Sequence, residues 1–262
     1  MCGLAGELRF DGTMADAGTL QHMIGCLERR GPDGSGVWAR GPVALGHRRL
    51  SIIDLSATGA QPMVDAQLEL TVVFNGIIYN YKQLRAELDR KGHRFFSTSD
   101  TEVVLKAYAE WGTSFVDHFL GMFAIAVFEH RTGRLVLARD RLGIKPLYVD
   151  QRADRLRFAS TVQALLAGGG VDTSIDRTAL AHYMTFHSVV PAPRTILAGV
   201  RKLPPATVRV VEPDGATRDT VYWTPEFTRD PGRADWTSRD WEEALMEKLR
   251  VAVDRRMVAD VP

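Results

Sequence analysis

The chain has 262 residues, 45% of them hydrophobic and 25% charged, the composition of an ordinary globular protein rather than a disordered or fibrous one. Its 33 Lys and Arg stand against 32 Asp and Glu, a formal net charge of +1, so no basic excess exists to neutralise phosphates and neither nucleic acid nor an anionic membrane is expected as a partner. No apolar run approaches the ~20 residues of a membrane helix, no basic segment followed by an apolar stretch opens the chain, and two cysteines, Cys2 and Cys26, make no disulfide framework, so a reducing cytoplasm is the expected compartment.

In chain order, alternating and continuous apolar runs predict strands over Gly3–Phe10, Val43–Ile52, Leu68–Asn75, Gly121–Glu129, Arg134–Arg139 and Leu156–Ser160. A 3.6-residue period predicts helices over Ala15–Arg29, Tyr81–Lys91, Thr101–Trp111 and Val162–Leu166. Gly168-Gly169-Gly170 breaks the pattern, and Asp176 stands where it would cap a helix over Arg177–Phe186. Val208–Val211 and Thr220–Trp223 read as a strand pair around Pro213-Asp214-Gly215. Thr224–Ser238, rich in Pro, Gly, Asp and Arg, reads as a linker. Beyond it Trp241, Leu245, Leu249 and Ala252 step along one face of a helix over Arg239–Val258.

Cys2 follows the first Met directly. Removal of that Met would give one residue both a thiol nucleophile and an α-amine whose reference pKa of ~7.7–8.0 suits a base. A second-position Cys taken alone is more simply incidental. Asn75-Gly76 taken alone is more simply a hairpin turn. Cys26 falls on the apolar side of its helix and reads as a buried small hydrophobe. The seven His residues show no ligand spacing with Cys, and no metal is expected.

Cys2-Gly3-Leu4-Ala5-Gly6, the turn Arg30-Gly31-Pro32-Asp33-Gly34, the strand Gly46–Asp54 and the loop Ala60-Gln61-Pro62-Met63 are followed by Phe74–Asn80, Ser99-Asp100-Thr101-Glu102, Gly121–Ala124 and Arg139–Tyr148. Together, in this order, they resemble the class II glutamine amidotransferases, the N-terminal-nucleophile group that includes asparagine synthetase. The resemblance covers at least residues 2–160. Glu243–Pro262 resembles the helix and loop just before the pyrophosphate-binding SGGxDS motif of asparagine synthetases. Glu7–Gly12, Gly168–Asp176 and Thr185–Arg194 are similar to the N-acetylglutaminylglutamine amidotransferases, which amidate a dipeptide to make an osmoprotectant.

The resemblance implies an α+β fold, an αββα sandwich of two antiparallel sheets between helix layers, followed by the first helix of a truncated second domain. It implies an amidotransferase domain over 1–223, a linker over 224–238 and the start of an ATP-dependent domain over 239–262, with ATP and Mg²⁺ expected in that domain and no cofactor in this one. The expected partners are glutamine and the synthetase domain of the same chain, and a homodimer is left open. Cys2 would attack the glutamine amide, with Asn75 and the Gly76 N–H as oxyanion donors. Arg49 would grip the substrate α-carboxylate, Asp100 its α-ammonium, and Ile52 would touch it through the backbone. Structural readings stand beside these. Arg49 follows Arg48 on alternate strand faces, Ile52 suits a core, and Ser99 with Glu102 spells a capping box in which Asp100 needs no substrate.

The family usually has Glu in its NGEIYN segment, where this chain has Ile77. An apolar side chain cannot pair with an ammonium, so the amino end of glutamine would rest mainly on Asp100. Phe158-Ala159-Ser160-Thr161 also lacks the Glu that often follows Ala-Ser in asparagine synthetases. A glutaminase-inactive scaffold, as in the β-lactam synthetase relatives, and a stand-alone amidase or binding module are the competing readings. Ile77 favours the scaffold; Cys2, Arg49, Asn75, Gly76 and Asp100 oppose it.

Overall fold

In a computed structural model of the protein, residues 1–261 are described; Pro262, the last residue of the expected start of a second domain, lies outside them. Alternation along the first strand sorts its residues between two layers. In β1 (Gly3–Arg9), Leu4 and Leu8 enter one core and Ala5 enters another on the opposite face.

That sorting is repeated throughout. β2 (Gly34–Arg40), β3 (Val43–Arg49), β4 (Met63–Asp65) and β5 (Leu70–Ile78) come first; β6 (Gly121–Glu129), β7 (Leu135–Arg139), β8 (Tyr148–Gln151) and β9 (Arg155–Ala159) follow. β10 (Arg201–Lys202), β11 (Thr207–Val211) and β12 (Thr217–Val221) complete the strands. One sheet has the order β10-β8-β9-β1-β3-β2 and the other β12-β11-β7-β6-β5-β4, and every strand pair is antiparallel.

Leu4, Leu45 and Phe158 from the first sheet meet Val73, Ala126 and Leu137 from the second in the inter-sheet core. The outer face of the first sheet is covered by α1 (Ala17–Gly25) and α4 (Val162–Ala167), through Leu20, Met23, Ile24 and Leu165. The outer face of the second is covered by α2 (Tyr81–Arg90) and α3 (Asp100–Trp111), through Leu84, Leu88, Val103 and Val104. The result is the four-layer αββα sandwich expected from the resemblance.

Three local expectations need correction. Cys26 is exposed. α1 ends at Gly25, and the next turn tightens to Leu27 N→Ile24 O at 2.9 Å, which sends Leu27 into the core and leaves Cys26 outside. Ser99 caps α3 by accepting from Thr101 N at 3.1 Å, but Glu102 makes no capping box. Its carboxylate reaches past Ser99 to Phe96 N and Ser97 N at 2.9 and 2.7 Å. The C-terminal helix, α6 (Ser238–Asp254), ends before Val258. It follows α5 (Arg177–Thr185) and takes the last residue of the segment expected as a linker, in which residues 224–237 carry a single 3-10 turn at Pro231–Arg233. Thr237 and Asp240 form the capping box that starts α6. Its apolar stripe does not fold back onto the sandwich; Leu245 and Leu249 stay exposed. The chain after it does return, and Val258 packs against the core beneath α2 and α3.

Candidate active site

Antiparallel pairing places Cys2 at the mouth of the sandwich. Gly3 pairs with Arg48 at the end of β3, so the residue before it lies beside the chain leaving that strand. Leu50 N donates to Cys2 Sγ at 3.3 Å, and the thiol lies 3.6 Å from Leu50 O. Arg30 Nε donates to the Cys2 carbonyl at 3.1 Å. Burial pushes the Cys2 thiol pKa up, opposed by the Leu50 hydrogen bond, so at rest the sulfur is a thiol and needs a base.

Cys2, Arg49, Ile52, Asn75, Gly76 and Asp100, all six residues singled out from the sequence, line one cavity of about 310 Å³, within the range of small-ligand sites. The second sheet supplies its far wall. Asn75 and Gly76 are not a hairpin turn; they lie inside β5, opposite Ala124 and Phe123 of β6. Asn75 is 1% exposed, and its Nδ2 is buried without a protein acceptor. Such an orphaned donor is uncommon in a native fold. At Gly76 a Cβ would stand 2.3 Å from Met122 O and 2.8 Å from Phe123 Cα. Glycine is therefore required there by the neighbouring strand.

Phe74, just before Asn75, lies beyond the end of β4, so the free edge of β5 there needs other partners. Gln61 Oε1 accepts from Phe74 N at 2.6 Å, while Gln61 Nε2 donates to Thr101 Oγ1 at 3.1 Å. His47 Nε2 lies 3.0 Å from Phe74 O. Burial pushes the His47 pKa down to about 3, so the ring is neutral and Nε2 carries the hydrogen to that carbonyl. Gln61 thus ties the Asn75 strand to the start of α3. It stood in a quoted motif, but nothing in the sequence told which groups it would bridge.

Asp100 opens α3 and is buried. Its Oδ2 accepts from Ile78 N at 3.2 Å. Burial dominates over the backbone hydrogen bonds and the nearby Arg49, and pushes its pKa up to about 7. Ile77 is half-buried, lines the same cavity and packs against the helix-side core. Arg49 Nη1 donates to Ser56 O at 2.9 Å and Nη2 to Asp54 O, while Nε has no hydrogen-bond partner among the described residues. Gly59 makes room, because a Cβ there would come within 2.3 Å of Arg49 Nη2. Arg49 is therefore aimed by loop carbonyls, not paired with an acid. Ile52 lines the cavity, and its carbonyl oxygen accepts from Asp260 N at 2.9 Å. Among the described residues no group of three or more His, Cys, Asp or Glu could hold a metal ion, and no helix is long and apolar enough to cross a membrane.

The sequence matches the family described as glutamine amidotransferase domain over residues 1–223. Two relatives from Bacillus subtilis (strain 168), asparagine synthetase [glutamine-hydrolyzing] 3 and asparagine synthetase [glutamine-hydrolyzing] 1, are each 34% identical over 265 residues. The matches cover 100% of this chain and 42% and 41% of those proteins; the chain thus spans about two fifths of their length. Among solved structures, glutamine phosphoribosylpyrophosphate amidotransferase from B. subtilis, complexed with ADP and GMP, superposes with a TM-score of 0.65. That match covers 86% of this chain and 50% of that one at 19% identity, a likeness of fold. The match across both sheets and the site they frame makes this chain a member of the glutamine amidotransferase domain family, an enzyme domain of the class II type found in asparagine synthetase-like proteins.

Proposed function

We propose that the chain hydrolyses glutamine to glutamate and ammonia through a thioester on Cys2, and feeds the ammonia to an ATP-dependent amide-forming domain. The observation that supports this most directly is the contents of one cavity. A part-buried thiol and an unpaired amide donor share it with a guanidinium and a carboxylate, the last two complementary to an amino-acid zwitterion.

In the reaction, the Cys2 thiol proton passes to the α-amine freed by removal of Met1, and the sulfur bonds to the amide carbon. The resulting oxyanion is received by Asn75 Nδ2 and the Gly76 N–H. Collapse breaks the C–N bond, and the amine returns the proton to the departing ammonia. Water then cleaves the thioester, releasing glutamate and restoring the thiol. The Met1 amine, next to Cys2 in the chain, has its pKa lowered by burial first, then by Arg30 and Lys145, against the neighbouring Cys2, which raises it. Arg49 binds the α-carboxylate through its charge and the Nε–H that the loop carbonyls leave free, and Asp100 binds the α-ammonium.

The amidotransferase domain is assigned to 1–223, with a linker over 224–238. The start of the ATP-dependent domain, the expected seat of ATP and Mg²⁺, follows at 239–262. The exposed stripe of α6 would then pack against the rest of that domain. The product class assigned from the sequence is the amide of an N-acetylated glutamine dipeptide, made in the cytoplasm. A glutaminase-inactive scaffold is the second reading, and Ile77 is the observation that favours it.

A glutamine analogue bearing a diazoketone in place of the amide tests the reading. One equivalent should attach to Cys2 by peptide mass spectrometry, leaving the exposed Cys26 unlabelled. Labelling of Cys26 alone would defeat it.

With Ile77 in place of an acid, the ammonium depends on the ionised form of Asp100. The carboxyl has a pKa of about 7 and is protonated below it. kcat/KM should therefore fall as pH drops through about 7, approaching roughly tenfold per unit. In Asp100→Asn the limb should vanish at a uniformly higher KM. An unchanged limb in that variant would assign it to the α-amine instead.

A further inference from the structure

After α6 the chain crosses the mouth of the cavity, where Val258 and Ala259 contribute to its wall. It ends the crossing on the loop that carries Ile52 and Asp54. Asp260 N donates to Ile52 O at 2.9 Å, and Asp260 Oδ2 accepts from Asp54 N at 2.7 Å. Asp54 is a non-glycine residue with φ of +54°, the left-handed region that side chains enter reluctantly and Asp more readily than most.

Both sides of that residue are held. Its N–H is taken by Asp260, and its carbonyl receives the Arg49 guanidinium. Its own carboxylate folds the rest of the loop, accepting from Ser56 N at 3.1 Å and from Thr98 N at 3.0 Å, two residues before Asp100. A single strained residue therefore joins the returning chain to the group that would bind the α-carboxylate.

We propose that Asp260 is a positioning residue for glutamine binding. By holding the Asp54 N–H it fixes the loop whose carbonyls aim Arg49, and so sets glutamine affinity from the far side of a segment 206 residues away in sequence. The assignment rests on the proposed Arg49 clamp. Whatever moves Val258–Asp260, including ligands of the expected downstream domain, would by reciprocity change glutamine affinity.

The test is glutaminase kinetics on the chain with Asp260→Ala, Asp260→Asn, Arg49→Lys and the Asp260→Ala/Arg49→Lys double variant. Asp260→Ala should raise the KM for glutamine roughly tenfold, as loss of a hydrogen bond to a charged acceptor does, with kcat within about twofold. Asp260→Asn retains an oxygen that can accept from Asp54 N and should stay near the parent KM. Arg49→Lys should raise KM, and the double variant should match Arg49→Lys alone, since both changes act on one contact. If KM rises in Arg49→Lys but not in Asp260→Ala, the positioning role is overturned and the clamp stands. If it rises in neither, the clamp itself falls and this assignment with it. Additive effects in the double variant, or an Asn variant as impaired as Ala, would also overturn it.

Discussion

Cys2→Ala should abolish glutamate release from glutamine, a loss of roughly 10⁴-fold or more, the scale on which removal of a nucleophile acts. The loss should be chemical and not structural. The sulfur's hydrogen-bond contacts are the Leu50 backbone N–H at 3.3 Å and carbonyl at 3.6 Å, and the adjoining strand is registered by Gly3 and Leu4 against Arg48 and His47. Thermal stability should then change by about 1 kcal/mol or less, within the ordinary range for a single side chain. The variant should still bind glutamine, because Arg49 and Asp100 are untouched. In a protein that carries the ATP-dependent domain, it should keep amide synthesis from free ammonia while losing synthesis from glutamine. Cys26→Ala, at an exposed helix end, serves as the control and should change neither activity. Glutamate release by Cys2→Ala at the parent rate would remove the thioester route altogether.

The central strands were legible because they satisfy two layers at once. β6 carries an unbroken apolar run, and its predicted bounds, Gly121–Glu129, coincide with the observed ones. The strands missed from sequence lie largely at sheet margins. β2 and β10 edge one sheet and β4 the other, and β8 stands next to the edge. β4 and β10 are three and two residues long, too short for a period to show. β2, Gly-Ser-Gly-Val-Trp-Ala-Arg, carries two glycines and is only half-buried, which dilutes the alternation. The sandwich itself rests on pairings such as Ala5 with Ala159, which local periodicity cannot reveal; the resemblance supplied it.

The site divides in the same way. Cys2, Arg49, Asn75, Gly76 and Asp100 were marked by the motifs around them, and the fold brings them to one cavity. Their supports were not marked. That His47 and Gln61 would hold the two sides of Phe74 depends on where β4 stops, and that Asp260 would reach Asp54 depends on a chain reversal after α6. Gly76 is expected, from the resemblance, as an oxyanion donor through its N–H. It also serves to avoid β6, a constraint that no reading of Asn-Gly as a pair would supply.

Asn75 is the place where binding and catalysis should separate most sharply. Its Nδ2 has no protein acceptor although it is buried, and it shares a cavity with the Cys2 sulfur. The donor is thus in place before any charge appears, so it costs no reorganisation when an oxyanion forms. The ground-state amide oxygen is neutral and gains less from it than the oxyanion does. Asn75→Ala should therefore lower kcat by about 10²–10³-fold, or ~2.7–4 kcal/mol, with KM changed far less. Folding should be little affected by loss of the amide group, because no protein hydrogen bond to Nδ2 is broken. Asn75→Asp keeps the shape but places an acid among the same buried surroundings, where it would repel the oxyanion if ionised; its kcat should fall at least as far as that of the alanine variant. Measurements at saturating glutamine decide the matter. If Asn75→Ala raises KM and leaves kcat intact, the side chain serves ground-state binding, and oxyanion stabilisation must come from Gly76 alone.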